Sequence, residues 1–179
     1  MQRPQTPRSK WRPRGCPFSR VRSWLDGRSV RRGPRMKKKH LGPADIGLDL
    51  GRATDSPAFR WLIACNLFGA RISQDIAARA YRELDDLGVL TADRLAEADW
   101  QTLVDALGRG GYRRYAESTA RELIDVGRRV RDDYGGRLGR LRRQVQSRKD
   151  LAERVQEFKG IGPTAADIFV REIAPLWEL

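Results

Sequence analysis

From residue 56 onward, apolar residues recur three and four positions apart, and the chain reads as a succession of helices. Ser56 and Pro57 make a favourable start, a capping hydroxyl followed by proline at the first helical position. Phe59, Leu62, Ile63, Asn66 and Leu67 follow at helical spacing. The stretches 61–65 and 67–70 are apolar and are interrupted by Asn66, which predicts a buried helix too short to span a bilayer. A second helix is expected over 73–87, with Ile76, Ala77, Ala80, Tyr81 and Leu84 on one face and Gly88 as its stop. Thr91 and Asp99 cap two short helices, one through Leu95 and one through Leu103 and Leu107.

Gly108, Gly110 and Gly111 predict a turn. A long helix follows, carrying Tyr115, Ala116, Leu123, Ile124, Val126 and Val130, with Gly127 as a weak point and Tyr134-Gly135-Gly136 as its end. Ser147 and Asp150 give a capping-box-like start to a helix through Val155 and Phe158. No stretch alternates with a period of two in β-branched residues, so strands are not expected. No fixed-length repeat is present. The expected fold class is all-α: a compact multi-helix domain over 45–179, preceded by a segment over 1–44 that lacks a persistent period and is expected to be disordered.

Charge sharpens that division. Residues 1–40 hold 14 Lys and Arg against one acid, Asp26, which accounts for the whole net charge of +13. The remaining 22 cations and 22 acids balance. The tail therefore has three readings. It is a phosphate-binding arm, an Arg-rich targeting segment, or the product of an over-long reading frame whose natural start is Met36. Trp11, Phe18 and Trp24 suit base stacking but are scattered. Within the domain the charge is polarised. Residues 137–149 carry Arg137, Arg140, Arg142, Arg143, Arg148 and Lys149 with no acid, whereas 83–105 carry seven acids against Arg94 alone. The basic stretch is either a nucleic-acid-facing side or a solvated face.

Cys16 and Cys65 are too few for a disulfide framework and lack metal-ligand spacing. Cys65 fits the core. His40 is the one histidine and has no ligand partners nearby in sequence. Neither a metal site nor a Ser/His/Asp triad is expected.

The segment 151–173, LAERVQEFKGIGPTAADIFVREI, carries the most specific chemistry. An amphipathic helix ends near Phe158. Gly160, Ile161 and Gly162 make a sharp bend, and Pro163 opens a second helix with Ala165, Ala166, Ile168, Phe169 and Ile173. The free N–H groups and positive dipole end of that helix face whatever lies over the bend, which suits a DNA phosphate. Such a contact positions a duplex without reading its bases. An ordinary helix–turn–helix joint accounts for Gly-x-Gly alone. Lys159, Pro163 and the paired helices turn the reading toward phosphate.

This segment resembles the helix-hairpin-helix of the endonuclease III-like (HhH-GPD) superfamily of base-excision DNA glycosylases. Upstream, PAFRWLIACNLFGARISQDIAARAYREL is similar to that family's opening helix, its DNA-probing loop and the helix beyond. LVDALGRGGYRRYAESTARELI is similar to its middle helices and their Gly–Tyr turn. The likeness covers roughly residues 56–175 in the family's order. It implies an HhH-GPD-type fold and a cytoplasmic, nucleoid-associated monomer. It also implies duplex DNA with a damaged or mismatched base as partner. By position, Gly160, Ile161 and Gly162 grip phosphate, with Lys159 and Thr164 beside them. Arg71 falls where many members place a wedging glutamine; its alternative is a solvent-exposed helix-end arginine. Arg109, Arg113 and Arg114, near the glycine turn, are further phosphate candidates.

Three departures bear on activity. Bifunctional members carry a Schiff-base lysine where this chain has Thr164, so lyase chemistry by that route is not expected. The family's catalytic aspartate would fall beyond Leu179, which suggests a C-terminally truncated domain and leaves no catalytic residue identified. The iron–sulfur cysteine loop is absent, so no cofactor is expected. The enzyme reading is thus a monofunctional glycosylase. The competing readings are a catalytically silent DNA-binding module and a helical interaction protein without a nucleic-acid partner.

Overall fold

The computed structural model describes residues 41–51 and 55–179. Among them are seven α-helices: α1 (Asp55–Gly69), α2 (Gln74–Asp86), α3 (Ala92–Ala96), α4 (Trp100–Arg109), α5 (Ala116–Tyr134), α6 (Arg148–Gln156) and α7 (Pro163–Leu176). Short 3-10 segments at Pro43–Ile46, Arg113–Tyr115 and Leu138–Gln144 link them, and no strand occurs among the described residues. Cys16, Met36, His40 and the other residues of 1–40 lie outside the described residues, and with them all three readings of the basic tail.

Past its first turns helix α1 is apolar on all sides but for Asn66, because it is covered on all sides there. Every residue from Trp61 to Phe68 is buried. Helices α2 and α7 and the Leu138–Gln144 segment pack against it. Helix α5 receives α3 and α4, and α6 pairs with α7. Truncating a large side chain at the centre of such a core costs about 2–5 kcal/mol.

Local rules set several helix starts. The Thr91 hydroxyl accepts from the Arg94 N–H at 3.4 Å. The Asp99 carboxylate accepts from the Thr102 N–H and hydroxyl, each at 2.9 Å, which holds its carboxyl below the usual range. The Ser147 hydroxyl accepts from the Asp150 N–H at 3.2 Å. Asp150 returns its bond to the Gln146 N–H at 3.0 Å, one residue earlier than a strict capping box requires.

The structure differs from the sequence reading at several points. Residues 41–44 belong to the folded domain and not to the tail. The Asp45 carboxylate accepts from the Gly42 N–H at 2.8 Å, and Ile46, Leu48 and Leu50 bury themselves alternately with exposed Gly47 and Asp49. The leucines lack β-branching, so this short alternation gave no strand-like signal. Helix α1 already includes Asp55, which places Ser56 and Pro57 inside its first turn; a proline is tolerated there because that turn's N–H groups have no intrahelical acceptor. Gly108 is helical, α6 stops at Gln156 before Phe158, and Tyr115 sits in a 3-10 turn.

Gly127 does not weaken α5, which runs unbroken through it. A Cβ at Gly127 would lie 2.7 Å from the Ala96 N and 3.0 Å from the Ala92 O. The glycine is a slot for the backbone of α3. Gly127→Ala is therefore expected to destabilise the domain by about 1–2 kcal/mol, because overpacking outweighs the better helix propensity of alanine. Denaturant melts of the two proteins check this.

Candidate functional site

The bend between α6 and α7 is pinned at two points. Phe158 and Ile161 are 1% and 4% exposed, and they flank exposed Lys159 and Gly160. Ile161 thus anchors the hairpin in the core. The bend itself is on the surface, with Gly160, Gly162, Pro163 and Thr164 all exposed.

The two glycines stand there for different reasons. Gly160 has φ +79°, a left-handed conformation that side chains disfavour. A Cβ on it would also strike the Glu122 Oε2 and the Asn66 Nδ2. Gly162 has φ −84° and ψ 178°, extended backbone that any residue adopts. A Cβ there would meet nothing within 4 Å. Past it, Pro163 opens α7 and has no N–H to satisfy. Within the described residues, no backbone acceptor takes the N–H of Gly162, Thr164 or Ala165; the first bond of the new helix runs from the Ala166 N–H to the Gly162 carbonyl at 3.0 Å.

Beneath the bend lies a polar cluster. Asn66 is 4% exposed, the single amide in the apolar run of α1. It faces the half-buried Glu122 across Gly160. Burial pushes the Glu122 carboxyl above its ordinary range, while the Asn66 amide and the Lys159 ammonium pull it back. Tyr112, 1% exposed, lies within electrostatic reach of Glu122. Burial pushes its hydroxyl up to about 12, with a hydrogen bond to Thr119 acting the other way.

An open concavity of about 730 Å³ lies beside the bend. Its charges are paired internally. The Lys159 Nζ lies 2.9 Å from the Asp125 Oδ2. The Arg129 Nη2 lies 2.6 Å from the Glu157 Oε2, and Arg129 also donates to the Glu157 carbonyl. Its ring partner is Phe158, 5.1 Å away. This concavity is no free cationic cup.

The tertiary fold brings Arg71 to the hairpin end. A Cβ on Gly69 would lie 2.7 Å from the Ala165 Cβ, so the C-terminus of α1 abuts the N-terminus of α7. The short loop to α2 is braced by Gln74, which donates to the Phe68 carbonyl at 3.3 Å, and by the Ile72 N–H bonded to the Ala70 carbonyl at 2.8 Å. Arg71 projects from it exposed, with no ion pair or hydrogen bond among the described residues.

The other arginines separate. Gly110 and Gly111 press on α2 at Ala80 and Arg79. Arg109 is committed to Glu83 at 2.8 Å, and Arg114 lies 5.3 Å over the Tyr115 ring. Arg113 is exposed and, among the described residues, unpaired.

The basic stretch 137–149 sits at the opposite end of α7, about 20 Å from the bend. There Arg142 pairs with Glu178 at 3.4 Å and Arg148 donates to the Leu179 carbonyl at 3.2 Å. Arg137 approaches Asp55 at 4.0 Å, and Lys149 pairs with Glu153 at 3.8 Å. These four cations fasten the chain to itself, whereas Arg140 and Arg143 are exposed without an ion pair among the described residues, and none of the six extends the hairpin surface. Among the described residues no group of three or more His, Cys, Asp or Glu is placed to hold a metal ion.

Asn66 had a signal in the sequence, a lone amide in an apolar run. Glu122 and Asp125 had none, since two acids three apart on a helix are usually solvated.

Two outcomes follow from this geometry. Gly160→Ala should lose about 1–3 kcal/mol of stability in denaturant melts, from its left-handed backbone and its collision with Glu122 and Asn66. For Glu122 the folded-state carboxyl is raised, so its stabilising share is complete below the unfolded value near about 4 and is lost as pH rises through the folded value. Glu122→Gln should therefore melt at or above the wild type near about pH 7, and that advantage should vanish in melts run toward about pH 4. Compared with models of known protein families and with curated proteins, the chain finds no match in either.

Proposed function

We propose that this domain grips the sugar–phosphate backbone of duplex DNA at the bend formed by Gly160, Ile161 and Gly162. The observation that carries the reading is Gly162. Neither its backbone conformation nor its packing calls for glycine, yet its missing side chain leaves open space at the N-cap position of α7. A group from outside can thus approach the backbone there to van der Waals contact. The N–H groups of Gly162 and Thr164 and the dipole of a 14-residue helix favour an anion at that spot. Arg71 and Arg113, exposed and unpaired among the described residues, add phosphate contacts. Such contacts set register and orientation and leave base reading to other groups.

The resemblance to endonuclease III-like glycosylases extends this to base-excision repair. On that reading the domain is a monofunctional glycosylase that hydrolyses the N-glycosidic bond of a damaged or mismatched base. Arg71 enters the gap left by the flipped nucleotide. A catalytically silent DNA-binding module is the second reading. It is favoured by Thr164 at the lyase-lysine position and by the ion pairs that engage Asp125 and Glu157 beside the bend.

The test is duplex binding by fluorescence anisotropy across a salt series. Affinity should fall steeply with salt. Gly162→Ala should weaken binding about tenfold or more, the loss of roughly one charge-assisted hydrogen bond, while its melt stays within about 1 kcal/mol of the wild type. Unchanged affinity in that variant overturns the phosphate grip. Duplexes carrying a panel of lesions, developed with hot alkali, separate the two readings: strand breaks at modified bases mark the glycosylase, and no product at stoichiometric protein leaves the binding module.

A further inference from the structure

Lys159 stands out as the hairpin's own cation, and the structure does not leave it free. Its Nζ lies 2.9 Å from the Asp125 Oδ2, and its side chain is 70% exposed. The other oxygen of Asp125, Oδ1, lies 3.9 Å from the Arg128 Nη1. One carboxylate on α5 thus sits between two cations, one belonging to the bend and one to its own helix. Glu122, one turn earlier on α5, places a second carboxylate under the same bend.

We infer that Asp125 is an affinity-setting residue: it competes with DNA phosphate for the Lys159 ammonium. The inference rests on the phosphate-grip reading above and adds a residue to it. Three features support the exchange. The Lys159 end of the pair is 70% exposed and the Asp125 end 36%, and an ion pair open to water on its cationic side is weak and easily opened. Lysine is a point charge on a flexible stem, so its ammonium can swing from one acceptor to another near the bend. The departure of Lys159 does not strand the carboxylate, because Arg128 remains beside it. The free protein therefore holds the cation in reserve, next to the amides of α7, and a phosphate must displace Asp125 to recruit it. Asp125 also opposes phosphate directly by like-charge repulsion, and the variants below separate that general effect from the specific one.

Binding of a short duplex is measured for the wild type, Asp125→Asn, Lys159→Gln and the double variant, each across a salt series. Asp125→Asn should tighten binding about three- to tenfold, Lys159→Gln should weaken it, and the gain from Asp125→Asn should be clearly smaller in the Lys159→Gln background, where only general repulsion is relieved. Asp125→Ser gives the same comparison should the asparagine amide repack, and melts of each variant confirm folding. An equal gain from Asp125→Asn with and without Lys159 overturns the proposal, since it leaves only long-range repulsion. So does an unchanged or weakened Asp125→Asn. Failure of the underlying reading shows separately, in the wild type alone, as an absence of salt-dependent duplex binding; that result also ends the proposal.

Discussion

The close approach of α1 to α7 at Gly69 and Ala165 holds the rest in place. From Trp61 to Phe68 helix α1 has no solvent face, so each helix around it is fixed by what it must cover. The absence of a side chain at Gly69 lets the end of α1 come within contact of the first turn of α7. That contact places the Arg71 loop beside the bend and brings the Asn66 amide under Gly160. A bulkier residue at Gly69 would push the two helix ends apart, and the surface around the bend would separate into unconnected pieces.

Around the bend, electrostatics is local. The domain as a whole is neutral, and most of its arginines are spent on its own carboxylates and carbonyls. Arg109 with Glu83, Arg129 with Glu157, Arg142 with Glu178 and Arg148 with the last carbonyl all stitch distant segments together. Pairs of this kind on a surface contribute little stability each. Their consequence for function is larger, because a cation already engaged is not available to a phosphate. What remains near the hairpin is a small set: the amides at the start of α7, Arg71 and the conditionally held Lys159, while Arg113 lies with Arg109 and Ala116 at the junction of α4 and α5.

The bend joins one glycine required by the fold with one that the fold does not require. Gly160 is dictated from below, by the left-handed backbone and by the pressure of Glu122 and Asn66. Gly162 faces open space. Structural necessity and surface accessibility thus meet within three residues, with Ile161 between them as the anchor.

The sequence by itself determined the helical class, most helix positions, the Thr91, Asp99 and Ser147 caps, the burial of the run from Trp61 to Phe68 and the bend at 160–162. These are local properties: a period, a capping side chain, a pair of glycines. It also showed that Asn66 was out of place in an apolar run, but not what it would face. The tertiary structure alone decided that Gly127 is a packing slot and no weak point, that Leu48 and Leu50 extend the core, and that the basic stretch 137–149 lies far from the hairpin. It alone paired Lys159 with Asp125 across 34 positions of chain. The physical reason is that ion pairs and close backbone contacts between helices depend on which faces meet, and nothing in the spacing of residues along one helix records its neighbour.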